Sequence, residues 1–181
     1  QLKELSQVII EGDTPARGRI YDRNGKVIVD NKAVKTIFYK KDLGISTSEE
    51  VVMSYKVAEI LDIDYKKLSD RDLRKFWVIN NPLSAKKKIT EEEWQLLKER
   101  KLTNDDIEKY KLDRIDDKEL EEYKEIDREA AYIYKLMNNG YYYSEKDIKT
   151  VGVTDEEYAA IATSSEELPG FGIKLDWERE Y

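Results

Sequence analysis

Cysteine and histidine are both absent from this chain of 181 residues. That removes disulfides, Cys-His pairs, Ser-His-Asp triads and every metal centre built on thiolate or imidazole. The redox compartment is left open by the same absence. No apolar run approaches the length of a membrane-spanning helix. There is no Gly-rich phosphate loop, internal repeat or low-complexity linker. Basic residues are in the minority, 32 Lys and Arg against 39 Asp and Glu for a net charge of −7. They are interleaved with acidic residues throughout, which excludes nucleic acid as a main partner.

What is present is charge and helix. Charged residues make up 39% of the chain, the mark of a strongly hydrated surface. The length suits one substantial core or two small ones, as in a folded domain with an appended or inserted subdomain. Starting at Gln1 and stopping in mid-pattern at "DWEREY", the sequence reads as an excised piece, with any signal or membrane anchor expected upstream.

Up to about residue 45 the chain reads as β. Val8–Ile10, Arg19–Tyr21, Val27–Val29 and Val34–Tyr39 are short apolar stretches separated by turn residues. Asn24-Gly25 is a hairpin signal, since both residues tolerate positive φ. Residues 46–140 then turn helical. Thr47 with Glu50 and Thr90 with Glu93 fit capping boxes, and Ser69 and Thr103 fit simpler N-caps. The longest helix is expected from Asp117 to Met137, with Leu120, Tyr123, Ile126, Ala130, Ile133 and Met137 on one face and Gly140 closing it. Beyond it "YYYSEKDIKTVGV" reads as a strand, alternate rings of Tyr141, Tyr142 and Tyr143 facing the core. A short helix opened by Thr154 with Glu157, a Pro169-Gly170 turn and the strand "FGIKLDW" complete the chain. The fold class expected is α+β: a small antiparallel base from both ends of the chain (1–45 and 141–181) and an inserted helical head (46–140).

Few patterns carry chemistry. "SAKK" places Lys87 one helical turn from Ser84, as in acyl-enzyme serine hydrolases. No Ser-x-Asn follows, however, and "KTVG" at Lys149–Gly152 is not Lys-Thr-Gly, so a short solvated helix or loop is the better reading. "DIDYKKLSD" has Asp62 and Asp64 at calcium-loop spacing, but Lys66 and Lys67 stand where a ligand and a glycine are needed. No catalytic residue, metal site or cofactor is assigned. The tyrosines offer stacking surfaces for sugars or a partner, so a glycan- or partner-binding module stays open as an alternative.

"ARGRIYDRNG" resembles the Arg-Gly-x-Ile-x-Asp-Arg-Asn-Gly signature at the start of the extracytoplasmic region of class B penicillin-binding proteins. "LSDRDLRKFW" (68–77) and "YKLDRI" (110–115) resemble the head insertion of elongation-type members from low-GC Gram-positive bacteria. "ELPGFGIKLDWEREY" resembles the Leu-Pro-Gly strand and Arg-x-Tyr that lead into their transpeptidase domain. The resemblance implies a non-catalytic pedestal, or dimerisation domain, of a peptidoglycan D,D-transpeptidase, with the transpeptidase domain following residue 181. It also implies a single-pass anchor upstream of residue 1 at the outer face of the cell membrane. The partners implied are the chain's own transpeptidase domain, a SEDS-type glycan polymerase with other cell-wall assembly proteins, and a second copy of the chain. Arg17, Gly18, Asp22, Arg23, Asn24, Gly25 and Arg179 match the family motifs as domain-junction residues. Their chemistry agrees: Arg17 has a planar fork for a carboxylate, Gly18 permits close approach, and Asp22 can cap the turn that Asn24 and Gly25 close.

Overall fold

The computed structural model describes residues 17–180, so the expected strand Val8–Ile10 lies outside the described residues. The strands are β1 (Ile20–Tyr21), β2 (Val27–Tyr39), β3 (Lys146–Lys149) and β4 (Phe171–Glu180). The helices are α1 (Thr47–Ile60), α2 (Asp70–Asn80), α3 (Pro82–Lys87), α4 (Glu91–Lys98), α5 (Asn104–Asp113), α6 (Asp117–Glu121), α7 (Glu125–Met137) and α8 (Asp155–Thr163). This is an α+β chain with an antiparallel sheet built from both ends of the sequence. It divides into two compact units, one formed by the chain through Gly44 together with that from Leu136, the other by Ile45–Lys135.

In the strand-rich unit β2 pairs with every other strand. Its two apolar stretches fuse into one strand because β4 pairs the polar residues between them, Asp30 with Glu180, Asn31 with Arg179 and Lys32 with Glu178. Continuous ladder pairing overrides the weak strand preference of Asp and Asn. β3 pairs with the other edge of β2 at Ile37–Tyr39, across a register shift, and β1 pairs near Val27–Val29. Thr36, Ile37, Phe38 and Tyr39 are buried, as are Ile148, Ile161, Leu168, Phe171 and Ile173. The Tyr39 and Phe171 rings meet at 4.9 Å. Glu157 closes the capping box of α8, and its carboxylate also accepts the Lys149 ammonium at 2.7 Å in a mostly buried ion pair.

Two glycines on β4 and its approach fix the sheet. Gly170 has φ +87, and a Cβ there would lie 2.5 Å from the Lys40 carbonyl oxygen, which explains the turn after Pro169. Gly172 faces Phe38 across the ladder, and a Cβ would lie 2.5 Å from the ring.

The hairpin differs from a two-residue Asn-Gly turn. Gly25 N–H donates to the Asp22 carbonyl (3.1 Å) and Asp22 N–H to the Lys26 carbonyl (2.8 Å), giving a three-residue loop. Only Gly25 takes positive φ there, at +81; Asn24 does not need it, because a type I turn followed by a left-handed glycine suffices.

The helical unit is a set of capped, mostly short helices. Cap positions depart from the sequence reading at α1, where Ser46 and Glu49, not Thr47 and Glu50, form the capping box. Glu50 is buried instead. Ser69 with Asp72 and Thr103 with Asp106 complete full boxes, an Asp serving where Glu is usual. Thr90 with Glu93 and Thr154 with Glu157 cap as expected. The expected long helix is broken between Glu121 and Glu125. Asp127 explains the restart: its carboxylate accepts the Lys124 N–H at 2.8 Å and the Tyr55 hydroxyl at 2.8 Å. The break also lets the Tyr123 oxygen accept the Asn80 and Asn81 side-chain amides at 3.3 and 3.1 Å. Burial pushes the Tyr123 hydroxyl up from its ordinary pKa. Phe76 lies at the centre, with the rings of Tyr55, Tyr123 and Tyr134 at 5.6–6.4 Å.

Tyr141–Tyr143 do not form a strand. They lie in an exposed turn ahead of β3, which starts only at Lys146. Gly140 has φ +73, as a left-handed helix stop requires.

Candidate functional site

The motif residues gather at the open end of the sheet. Asp22 organises the hairpin by accepting the N–H groups of Asn24 and Lys26 on one oxygen, both at 2.8 Å. This is the cap expected of it, and it rigidifies the tip without burying it. Arg23 and Asn24 are exposed on that tip.

Arg17 and Arg179, from opposite ends of the sequence, are brought to one corner by Asn31. Its side-chain amide donates to the Arg17 carbonyl, and its backbone stands directly opposite Arg179 in the β2–β4 ladder. Asn31 carried no motif signal; only strand register reveals it. Next to this corner the Arg19 Nε donates to Asp30 at 2.7 Å. That bond, after the Asn31 N–H, holds the Asp30 carboxyl below its ordinary pKa. Both side chains remain largely exposed, where water screens such a pair and leaves it little net effect on stability.

Arg17 and Arg179 are exposed, and among the described residues neither guanidinium meets a carboxylate. A Cβ at Gly18 would meet nothing within 4 Å, so nothing described in this chain requires a glycine there. The same end of the sheet exposes Ile20, Tyr21, Val27 and Ile28, which are 39–53% accessible. Chemically the corner is an exposed apolar β-ribbon edged by two exposed arginines.

The other candidates do not assemble into sites. Ser84 and Lys87 are both exposed, on a six-residue helix in the helical unit. A nucleophile of this kind needs a buried helix start beside oxyanion donors. Asp64 accepts the Lys66 N–H at 3.0 Å and lies in a loop after α1, so the position Lys66 takes in the would-be calcium loop is part of a turn. Among the described residues no group of three or more His, Cys, Asp or Glu side chains could hold a metal ion. None of the described helices is long and apolar enough to cross a membrane.

Comparison with known proteins places the chain in a family. The family model "Penicillin-binding Protein dimerisation domain" matches residues 13–181. Penicillin-binding protein 2A of Bacillus subtilis is 35% identical over 165 residues, covering 91% of this chain and 23% of that protein. Penicillin-binding protein H of the same organism is 28% identical over 194 residues, covering 91% and 27%. The solved structure of penicillin-binding protein 2B from Streptococcus pneumoniae strain R6 has the same fold, with a TM-score of 0.69 at 21% identity over 93% of this chain and 25% of that one. The chain thus spans 23–27% of the length of the two Bacillus relatives. It belongs to the penicillin-binding protein dimerisation domain family.

Proposed function

We propose that the chain is the non-catalytic pedestal of a peptidoglycan D,D-transpeptidase, working in bacterial cell-wall synthesis at the outer face of the cell membrane. The family match supports the class of parent protein. The observation that carries the role is the corner itself, where Arg17 and Arg179 meet through Asn31 beside an uncovered apolar ribbon. In this reading the transpeptidase domain covers Ile20, Tyr21, Val27 and Ile28 and supplies carboxylates to the two arginine forks. Gly18 leaves room for its backbone, and the Asp22–Gly25 turn holds the ribbon in shape. A second copy of the chain or a SEDS-type glycan polymerase takes other exposed surfaces.

Incubation with a fluorescent penicillin tests the non-catalytic part. The 181-residue chain stays unlabelled while the parent protein, carrying the transpeptidase domain, is labelled covalently. Labelling of this chain, abolished by Ser84→Ala, would overturn the reading.

A further inference from the structure

Asparagine followed by glycine occurs twice in the chain, at Asn24-Gly25 and at Asn139-Gly140, and the backbone holds the two pairs differently. In the hairpin the peptide groups around Asn24 are bound on both sides. The Gly25 N–H donates to the Asp22 carbonyl at 3.1 Å, and Asp22 Oδ1 accepts the Asn24 and Lys26 N–H groups, both at 2.8 Å. Beyond the end of α7 the same dipeptide is barely held. The Asn139 N–H reaches the Leu136 carbonyl only at 3.3 Å. Among the described residues neither the Gly140 N–H nor the Asn139 side-chain amide makes a hydrogen bond. Both residues are exposed, and a Cβ on Gly140 would meet only the Ser144 hydroxyl, at 3.9 Å.

An Asn-Gly pair contains both an electrophile, the side-chain amide carbon, and a nucleophile, the glycine nitrogen, which no neighbouring side chain shields. We propose that Asn139-Gly140 is a site of spontaneous covalent modification in the folded chain, closing to a succinimide and opening to aspartate or isoaspartate. The Gly140 nitrogen gives its proton to hydroxide and bonds to Cγ of Asn139. The bond from Cγ to the side-chain nitrogen breaks, and that nitrogen takes a proton from water and leaves as ammonia. Water then opens the ring. Attack at Cγ restores the ordinary peptide link and leaves an aspartate, while attack at the main-chain carbonyl carries the chain through Cγ as isoaspartate. Water and hydroxide are the only co-reactants, and no electron is transferred.

The structure, not the dipeptide, selects between the two pairs. Ring closure requires the peptide after the asparagine to swing until the glycine nitrogen faces Cγ. At Asn24 that swing breaks the Gly25 bond to Asp22 and strains the two bonds to the Asp22 carboxylate, so closure waits on local opening of the turn. At Asn139 it breaks no hydrogen bond on the glycine side. The product lies where it can disturb packing: Met137, two residues back at the end of α7, is fully buried. A new carboxylate there faces the negative end of the helix dipole, and the isoaspartyl form adds a carbon to the backbone leading to β3.

Time-resolved peptide mapping tests the proposal. The 181-residue chain is held at mildly alkaline pH, with and without urea, then digested; the Asn24 and Asn139 peptides are followed by mass spectrometry and isoaspartate by methyltransferase labelling. In the folded chain Asn139 is expected to convert about tenfold faster than Asn24, and in urea the two should convert at similar rates. Asp22→Ala, which removes the acceptor of the Asn24 and Lys26 N–H groups, should speed conversion of Asn24 and leave Asn139 unchanged. Asn139→Gln should abolish the product at that position, because the longer side chain closes its ring far more slowly. Conversion of Asn24 as fast as Asn139 in the folded chain overturns the proposal. So does a rate ratio that persists in urea, which would place the difference in the sequence, or an Asn139 that stays intact when folded and converts only when unfolded.

Discussion

Replacing Gly172 by alanine probes how the sheet is packed. Gly172 is the cross-strand partner of Phe38, and the Phe38 ring lies over the space a side chain would occupy. An added Cβ would sit 2.5 Å from Cζ, 2.9 Å from Cε1 and 3.0 Å from Cε2. Carbon atoms rest comfortably at about 3.5–4.0 Å, so ring or strand must retreat by roughly 1 Å. Phe38 is only 1% accessible, so the ring has no solvent to retreat into. Overpacking of this kind costs about 1–3 kcal/mol, against about 0.4–1 kcal/mol gained by restricting the unfolded chain. The net expectation is a loss of about 1–2 kcal/mol, read as a fall of roughly 5–10 °C in the melting of the strand-rich unit by circular dichroism. Gly18→Ala, with no atom within 4 Å of its Cβ, should change stability by less than about 0.5 kcal/mol. In a Phe38→Leu background Gly172→Ala should cost much less, because the obstructing ring is gone. An unchanged or raised melting temperature for Gly172→Ala, or an undiminished loss in the Phe38→Leu background, would refute the packing argument.

Two further expectations concern the helical unit. Ser46→Ala removes the side chain that accepts the Glu49 N–H and should cost about 1 kcal/mol in urea unfolding, whereas Thr47→Ala should be close to neutral. The Glu93 carboxyl is held down to about 2 from 4.5, first by the Arg114 guanidinium and then by the Thr90 N–H. A depressed carboxyl contributes stability above its unfolded pKa and loses it as pH falls toward its folded one. Urea midpoints should therefore drop between pH 4.5 and about 2, and Glu93→Gln should make that drop shallower.

Where the sequence reading succeeded, short-range chemistry decides the structure. Thr90 with Glu93, Thr154 with Glu157, Gly140 and Pro169-Gly170 need only near neighbours, and each stands where it was expected. Elsewhere distant partners decide the structure. Asp30–Lys32 look like a break between strands until β4 pairs them. The helix break at Glu122–Lys124 depends on Tyr55, Asn80 and Asn81 reaching Tyr123 and Asp127 from other helices. Tyr141–Tyr143 have strand-forming side chains, but the chain re-enters the sheet only at Lys146, so the rings stay outside. In the candidate site the motif named the arginines and the turn, while Asn31, which brings Arg17 and Arg179 together, is visible only through strand register. The apolar exposure of Ile20, Tyr21, Val27 and Ile28 was equally hidden, because an alternating strand reads as half-buried until its partners are known.

The reading of the Arg17 corner as a docking surface for a transpeptidase domain is tested most directly by melting the Arg17→Ala, Arg179→Ala double variant in two contexts. In the 181-residue chain both guanidinium groups are exposed and without a carboxylate partner among the described residues, so unfolding should be unchanged within about 0.5 kcal/mol. In the parent protein the same variant should separate the melting of the two domains, as docking weakens. Unfolding of the isolated chain by the double variant, or a parent whose domains still melt together as before, would contradict the account.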